Sequence, residues 1–416
     1  MSLWRFAWAS LRSRPLMTAL TLLLVALGMA TVVMVNLVTR QFDERLARDA
    51  SGIDLVVGAK GSPLQLVLSG VYHLDVPPGN IPFSALAQWR ANPMLEQVIP
   101  MSLGDSFRGF RLVGTEPEFI ALQGARMARG RVFESPMQVV VGARVAEETG
   151  LDVGARFVGN HGLAMDGPSH GDATYTVTGV LAANGSVIDR LVLTSLESVW
   201  QAHDHGKPAE QAPAGREAHA DHSDHRDHSD HEAHDDREIT LMLLRYATPL
   251  AAVSLPRLIN ASDRLQAASP AFESARLVSL LGMGADGLRA FGLLILAVAG
   301  VSVFAALFQT LSDRRREMAL LRLLGASPAR LFALLLLEGL LITVIGVVLG
   351  LAFGHGVIEW AGRVLIPRGE WPVTGLAFDR VELASIAGAL LLGVLASLLP
   401  AWLASRTSLA DVLANE

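Results

Sequence analysis

The chain has 416 residues, of which 51% are hydrophobic and 18% are charged, and its mean hydropathy is +0.39. The formal net charge of −6 gives no reason to expect nucleic acid as a partner. The absence of cysteine excludes a disulfide framework and a thiolate metal site.

Four apolar stretches are long enough to cross a bilayer, which takes about 20 apolar residues in helical form. They are residues 15–39, 290–312, 331–358 and 383–405. The first stretch is longer than the roughly 7–15 apolar residues of a secretory signal. No small-residue cleavage site follows it, so we expect a retained membrane anchor.

Basic residues in the short flanking segments predict the orientation, because such segments stay on the cytoplasmic side. Arg5, Arg12 and Arg14 precede the first stretch, and five arginines lie between the second and the third. We therefore expect a multi-pass protein of the bacterial inner membrane, with both termini in the cytoplasm and residues 40–288 in the periplasm.

The segment between the first two stretches is long enough for a folded domain. Short runs rich in β-branched residues alternate in it with helical patterns. The predicted fold class is an α-helical membrane protein with four transmembrane helices and a large α+β periplasmic domain between helices 1 and 2. The expected strands are residues 53–57, 98–101, 138–141, 174–181, 190–193 and 239–246. The expected helices are residues 86–91, 143–149 and 196–202, and a further helix over residues 271–281 leads into the second stretch.

Three glycines, Gly282, Gly284 and Gly287, lie where this last helix meets the second stretch. They are compatible with a hinge or with close helix packing, and the sequence leaves both open.

A charged segment between the second and third stretches is the most informative feature of the sequence. Residues 314–327 read Arg-Arg-Arg-Glu-Met-Ala-Leu-Leu-Arg-Leu-Leu-Gly-Ala-Ser. Leucines on one helical face and charges beside them predict a short amphipathic helix on the cytoplasmic side. A glycine then follows where that helix would end, and Pro328 stands where a new one could begin. A surface helix held between two spans is well placed to receive force from a soluble partner. The residues predicted to make this contact are Arg314, Arg315, Arg316, Glu317, Leu320, Leu321, Arg322, Leu324 and Gly325.

Together these features resemble the FtsX/MacB type of ABC transporter permease, also called the mechanotransmission type. The order of one span, a large periplasmic domain and three further spans is the same. The segment at 314–327 is similar to the coupling loop of that family. Leu337-Glu338-Gly339 is similar to its acidic position near the cytoplasmic start of the third span, and residues 400–413 are similar to its C-terminal tail.

The resemblance implies a homodimer or pseudo-dimer with two separate ATPase subunits docked on its cytoplasmic face. These ATPase subunits bind the ATP. Hydrolysis would then drive motion of the periplasmic domains, with a periplasmic or outer-membrane protein as a further partner. The implied divisions are residues 1–39 (N-terminus and first helix), 40–288 (MacB-like periplasmic domain), 289–408 (FtsX-like permease domain) and 409–416 (cytoplasmic tail). No G-x-x-x-x-G-K-[ST] loop occurs in the sequence, so the chain is expected to be a non-catalytic subunit.

Polar and small residues inside the third stretch need separate explanations. Glu338 is a costly charge in a span, at least about 2.5 kcal/mol at its centre, and we expect it to be paired near the cytoplasmic end. Gly346, Gly350 and Gly354 recur at every fourth position, which lets helices approach closely. We expect this packing within the subunit rather than at a dimer interface. His355 is expected at the outer-leaflet boundary.

A histidine-rich tract is the second strong signal, because eight of the 12 histidines lie between residues 203 and 234. Imidazole and carboxylate ligands suit zinc, nickel or copper(II). The composition predicts a disordered loop inserted into a folded domain. We expect it to bind metal, zinc first, with a functional and an adventitious role both open. The predicted ligands are His203, His205, His219, His222, His225, His228, His231 and His234, with Asp221, Asp224, Asp227 and Asp230.

Three functions are compatible with these features. The leading one is the membrane subunit of an ABC transporter that works with a separate ATPase. A metal-sensing membrane scaffold that transports nothing is the alternative. A metal-ion importer is disfavoured because Glu338 and His355 lie toward opposite ends of one span and form no cluster of intramembrane ligands.

Overall fold

The computed structural model describes residues 3–162, 169–204, 237–313, 322–323, 326–364 and 373–406. The chain divides into two compact units. The helical unit comprises Met1–Asp43 and Val278–Glu416, and the mixed unit comprises Glu44–Leu277.

The helices are taken in chain order. They are α1 (Leu3–Ser13), α2 (Pro15–Asp49), α3 (Pro63–Gly70), α4 (Ala85–Arg90), α5 (Glu118–Leu122), α6 (Ala143–Thr149), α7 (Leu196–Asp204), α8 (Pro249–Asn260), α9 (Pro270–Asp313), α10 (Pro328–Val364) and α11 (Arg380–Ser405), with a 3-10 turn at Val187–Arg190.

The strands are shorter and fall within the mixed unit. They are β1 (Leu55–Ala59), β2 (Ile81–Pro82), β3 (Leu95–Phe107), β4 (Phe110–Thr115), β5 (Met127–Gly130), β6 (Gln138–Val141), β7 (Arg156–His161), β8 (Ser169–Leu181), β9 (Leu191–Thr194), β10 (Glu238–Ile239), β11 (Leu241–Tyr246) and β12 (Leu265–Ala268).

Four helices of the described chain, α2, α9, α10 and α11, are long and apolar enough to cross a membrane. Three of them begin at a proline, whose fixed φ and missing N–H suit the first turn of a helix. Each contains one of the predicted apolar stretches and extends beyond it. α2, for example, continues to Asp49 instead of ending at residue 39, because the polar residues after the apolar run are still good helix formers.

The core of the helical unit is built from apolar faces of these helices. Met29 and Val33 of α2 are fully buried in one cluster with Leu296 and Ala299 of α9 and Val347 of α10. A second cluster joins α1, α9, α10 and α11, and its fully buried members are Ala7, Leu335, Ala401 and Ala404. Packing of apolar side chains thus fixes how these helices lie against one another within the unit.

The described residues of the mixed unit form a ten-stranded sheet, and six of its strands close into a ring. The order is β12-β1-β11-β3-β4-β9-β6-β8-β5, and β7 pairs with both β3 and β8. The strands β3, β4, β9, β6, β8 and β7 therefore form a ring in which each pairs with the next. We call this ring the barrel. It leaves β11, β1 and β12 as an extension along the other edge of β3.

Two hydrophobic clusters lie in the described part of the mixed unit. One lies in the barrel and is closed by α7, with Leu112, Val139, Tyr175 and Val192 fully or almost fully buried. The other packs α4 and α8 against β1, β11 and β12, around buried residues such as Leu55, Trp89 and Leu255. The unit thus packs helices on strands, as the expected α+β domain requires.

Each predicted element of this unit overlaps one in the structure, but β3 runs to Phe107 beyond the predicted end at residue 101, and β8 begins at Ser169 before residue 174. The strands β4, β5, β7 and β12 and the helices α3, α5 and α8 were not predicted. β6 and α6 have the bounds that the sequence predicts. The strand expected at 190–193 begins one residue later, because a 3-10 turn precedes it. The Asp189 carboxylate accepts hydrogen bonds from the backbone N–H groups of Asn184 and Gly185, which holds that turn in place.

The three glycines of α9 lie in continuous helix. A Cβ added at Gly282, Gly284 or Gly287 would meet no atom within 4 Å in the part of the chain that the structure describes. Close packing of α9 at these glycines is therefore not seen there, and the hinge stays a prediction.

Candidate functional site

The predicted coupling segment lies between the end of α9 at Asp313 and the start of α10 at Pro328. Arg322 is partly buried, and Leu323 exposes 62% of its surface. The remaining predicted contact residues, Arg314, Arg315, Arg316, Glu317, Leu320, Leu321, Leu324 and Gly325, lie outside the described residues. The structure therefore shows the two ends of the segment and the groups that hold them.

An ion pair holds the first end. Arg14, which lies between α1 and α2, pairs with Asp313, the last residue of α9. Both side chains are partly exposed, so the pair contributes no more than about 1 kcal/mol to stability. The ion pair matters for position, because it joins the start of α2 to the residue before the coupling segment.

A buried hydrogen bond holds the second end. Ser10 Oγ of α1 donates to Glu338 Oε1 of α10 over 2.8 Å, and Glu338 is 5% exposed. A hydrogen bond to a charged group contributes about 1.5–3 kcal/mol. The carboxylate thus joins α1 to the helix that begins directly after the coupling segment.

The helix α1 was not predicted from the sequence. Ala7 and Leu11, one turn apart, are buried against the other helices, whereas Trp4 and Trp8 of the same helix are exposed on an adjoining face. Arg12 lies over the ring of Trp8. Apolar residues at helical spacing with exposed Trp and Arg are typical of a helix that lies in a membrane interface. That spacing was the signal from which α1 could have been predicted.

The glycines of α10 lie against α2. A Cβ on Gly346 would come within 2.7 Å of Val25, and a Cβ on Gly350 within 2.6 Å of the Ala26 carbonyl oxygen. Contacts that short are incompatible with any side chain, so glycine permits this approach.

A second contact of the same kind was not predicted. Gly339 of α10 lies against Ser397 of α11, and Gly393 of α11 lies against Thr343 of α10. Because each glycine faces a residue of the opposite helix, α10 and α11 approach closely at two heights. No pattern in the sequence indicates which residues face these glycines.

At the other end of α10, His355 joins a buried carboxylate. Its Nδ1 bonds the Gly375 carbonyl oxygen over 2.5 Å, and its Nε2 lies 3.1 Å from Oε2 of the fully buried Glu382. A carbonyl oxygen only accepts, so Nδ1 is the donor to Gly375. This contact ties the end of α10 to the start of α11.

An apolar groove lies between α2 and α9 within the helical unit. Its volume is about 610 Å³, and its lining includes Met34, Val38, Leu281, Gly284 and Leu288. Two of the α9 glycines, which lack side chains, leave room for it.

The histidine tract is almost entirely outside the described residues. His205, His219, His222, His225, His228, His231 and His234 all lie there, with Asp221, Asp224, Asp227 and Asp230. His203, at the end of α7, is described, and its Nε2 lies 3.8 Å from Asp105 Oδ1. Among the side chains that the structure describes, no three His, Cys, Asp or Glu form a group that could hold a metal ion.

Comparison with known families identifies both halves of the chain. Residues 289–409 match the FtsX-like permease C-terminal model, and residues 18–217 match the MacB-like periplasmic core domain. The chain therefore belongs to the FtsX/MacB type of ABC transporter permease, which confirms the resemblance found in the sequence.

Individual relatives share part of the chain. The lipoprotein-releasing system transmembrane protein LolC of Xylella fastidiosa is 29% identical over 160 residues, which are 35% of this chain and 38% of that protein. The macrolide export ATP-binding/permease protein MacB of Syntrophobacter fumaroxidans is 29% identical over 130 residues, which are 31% of this chain and 17% of that protein. The crystal structure of the periplasmic region of MacB from Actinobacillus actinomycetemcomitans aligns with 56% of this chain and 95% of its own, at 10% identity and a TM-score of 0.34.

Proposed function

We propose that this chain is the membrane subunit of an ABC transporter in which a separate ATPase subunit drives motion of the periplasmic domain. The observation that carries this proposal is the joining of an FtsX-like permease domain and a MacB-like periplasmic core domain in one chain. The sequence contains no phosphate-binding loop that would supply ATP hydrolysis itself. The motion would serve export, extraction or mechanotransmission, in the inner membrane and in a homodimer.

The contacts beside the coupling segment support a route for force. A displacement of that segment acts on Asp313 at one end and on α10 at the other. Asp313 is paired with Arg14 at the start of α2, and α10 is bonded to α1 through Glu338. Both connections lead to the N-terminal part of the chain, so an ATPase that moves the segment would move α1 and α2 with it.

The helix bounds carry this route further. α2 begins in the helical unit and ends in the mixed unit, and α9 begins in the mixed unit and ends in the helical unit. The glycines of α10 hold that helix against α2. Motion at the coupling segment would thus reach the mixed unit through two continuous helices.

The histidine tract adds a metal link to this proposal. Its imidazole and carboxylate groups suit zinc, with nickel and copper(II) as competitors. Zinc bound in the periplasm would cross-link the loop and alter the motion of the domain that carries it. A non-transporting scaffold that senses the metal is the second candidate, and it is favoured by the tract alone.

ATP turnover by the reconstituted complex tests these proposals. The chain would be placed in nanodiscs with its ATPase subunit and titrated with zinc, both intact and with residues 206–236 deleted. We expect turnover above that of the ATPase alone, and a zinc response that disappears with the deletion. No stimulation of turnover would favour the scaffold over the transporter. An equal zinc response in both chains would show that the tract does not cause it.

A further inference from the structure

One face of the helix α1 combines exposed aromatic and basic side chains. Trp4 and Trp8 expose 60% and 47% of their surfaces, and Arg5 and Arg12 are exposed beside them. With 3.6 residues per turn, these four side chains occupy about 100° of the circumference of the helix. Exposed apolar side chains that are grouped and bordered by polar ones mark a contact surface for a protein, a membrane or a ligand.

The packing of α1 holds this face outward. Ala7 and Leu11 are buried in one apolar cluster with residues of α9, α10 and α11. Ser10 Oγ donates to Glu338 Oε1 of α10 over 2.8 Å. A helix that is bound to its neighbours by buried side chains and by a buried hydrogen bond cannot rotate about its axis. The aromatic and basic face is therefore a fixed surface of the helical unit.

The position of α1 in the chain places it at the edge of a membrane span. One residue separates it from α2, which is long and apolar enough to cross a membrane. Leu16, Leu20 and Leu23 of α2 are exposed, and their spacing puts them on one side of that helix. In a span these leucines face lipid. The exposed face of α1 thus continues a lipid-facing surface within one helical turn.

The charge of this segment favours an anionic membrane surface. No Asp or Glu precedes Asp43 in the sequence, and Arg14 is paired with Asp313. Arg5 and Arg12 are therefore the charges that the exposed face presents. Because α2 leads from α1 to the MacB-like periplasmic domain, α1 lies at the cytoplasmic end of the span. The cytoplasmic leaflet carries a negative surface potential that attracts basic segments.

Trp8 and Arg12 are arranged for the headgroup layer of a bilayer. The guanidinium carbon of Arg12 lies 5.6 Å from the centre of the Trp8 ring. A guanidinium over an aromatic face keeps the N–H groups at its edge, and these groups form paired hydrogen bonds with phosphate. Indole rings collect at the same level of the membrane. The ring and the cation thus suit one layer, in which lipid phosphates lie.

We propose that Trp4, Arg5, Trp8 and Arg12 form a binding surface for anionic phospholipids of the cytoplasmic leaflet. The group recognised is the headgroup phosphate of a lipid with net negative charge, such as phosphatidylglycerol. Bound lipid would hold α1, which is bonded through Ser10 to the helix that follows the coupling segment. The consequence for transport rests on the proposed function, whereas the binding itself does not.

Quenching by brominated lipid tests the binding on the purified full chain in nanodiscs, without any ATPase. The discs would contain phosphatidylcholine with an increasing mole fraction of dibrominated phosphatidylglycerol or of dibrominated phosphatidylcholine. The signal of the two exposed rings is the difference between the chain and its Trp4→Phe, Trp8→Phe variant. We expect the anionic lipid to reach half of its full quenching at a mole fraction at least about fivefold lower than the neutral lipid, since one arginine near an anionic surface contributes about this factor.

Two charge variants show whether the arginines cause this preference, each measured against its own phenylalanine background. Arg5→Gln with Arg12→Gln should bring the two lipids to the same mole fraction. The melting temperature should stay near that of the parent, because both side chains are exposed. Arg129→Gln with Arg131→Gln is the matched control, because it removes two charges from exposed positions of the mixed unit. It should keep the fivefold difference.

Equal quenching by the two lipids in the parent chain would overturn the proposal, and so would a preference that survives in the Arg5 and Arg12 variant. No quenching of the two rings by either lipid would overturn it as well, and it would favour a soluble protein as the partner of this face. None of these outcomes depends on ATP turnover, so a failure of the lipid surface and a failure of the proposed transporter are distinguishable.

Discussion

Replacing Gly350 by valine tests whether α10 must lie against α2 for the permease to function. A Cβ at this position would come within 2.6 Å of the Ala26 carbonyl oxygen and within 2.7 Å of Met29 Cβ. The first of these atoms belongs to the backbone of α2, so no side-chain rotation can relieve the contact. The two helices must separate.

The size of the effect follows from these distances. Restoring a contact of 3.4 Å requires α10 to move away from α2 by about 0.8 Å. Overpacking of this kind costs about 1–3 kcal/mol. Gly356→Val is the matched control, because it lies on the same helix and a Cβ there meets no atom within 4 Å in the described part of the chain. Both variants change helix propensity alike, so their difference isolates the packing.

Two measurements on the full chain in nanodiscs check this prediction. The apparent melting temperature, followed by fluorescence-detected size exclusion, should fall for Gly350→Val by about 2–4 °C per kcal/mol and stay near that of the parent for Gly356→Val. ATP turnover of the associated ATPase should lose its stimulation only in the first variant. Because the clash arises at Cβ itself, Gly350→Ala should already show the onset of both effects.

Equal melting temperatures for the two valine variants would refute the packing of α10 on α2. A lower melting temperature with unchanged stimulation of ATP turnover would support the packing of α10 on α2. It would also show that this contact does not transmit the force.

The remaining predictions concern other parts of the chain. Replacing Leu321 and Leu324 together with Asp should abolish stimulation of the ATPase while the protein stays in the membrane, and retained docking in a pull-down would contradict the coupling role. Glu338→Gln keeps an acceptor for the serine of α1 but loses the charge. The free energy of unfolding should therefore fall by only about 1–2 kcal/mol, less than for Glu338→Leu. An equal loss in both variants, measured by melting, would contradict the hydrogen bond. Burial lowers the pKa of His73 to about 3, so this side chain stays unprotonated in the folded chain. In the unfolded chain it gains a proton below pH about 6.5. The free energy of unfolding should therefore be about 2 kcal/mol lower at pH 5 than above pH 6.5. His73→Asn, which tolerates the left-handed φ of 53°, should flatten this pH profile in melting experiments, and an unchanged slope would assign it to other groups. A reporter fused after Asp75 should be active on the periplasmic side, and cytoplasmic activity would reverse the orientation.

Local patterns in the sequence located the long helices and some of the shorter elements, but not the long-range contacts between them. The apolar runs located all four long helices, and β-branched runs located strands such as β6. Closure of the barrel was not predicted, because it depends on the pairing of Asp105 with His161, which are far apart in the chain. Strand patterns show which residues are extended, but they do not show which strand lies next to which.

In the candidate site, too, individual residues could be predicted from the sequence but their partners could not. Charge in an apolar run pointed to Glu338, and glycine spacing pointed to the face of α10 that lies on α2. The partner of Glu338 could not be read from the sequence, because Ser10 belongs to a short helix that was not predicted. The facing of His203 and Asp105 was hidden as well, since it requires α7 to cover the end of a barrel whose closure was unknown.

The attachment points of the histidine tract have a consequence for the history of this gene. Trp200 of α7 donates its indole N–H to the Glu238 carbonyl oxygen of β10 over 2.7 Å, and Arg237 lies over the same indole ring. Residues 205–236 therefore join two points that the fold already holds together. Doubling the length of such a connection costs only about 0.6 kcal/mol in closure entropy. Insertions, deletions and repeat expansions can accumulate at this junction at little cost to folding, so the tract is free to change in length and composition while the rest of the domain stays under selection.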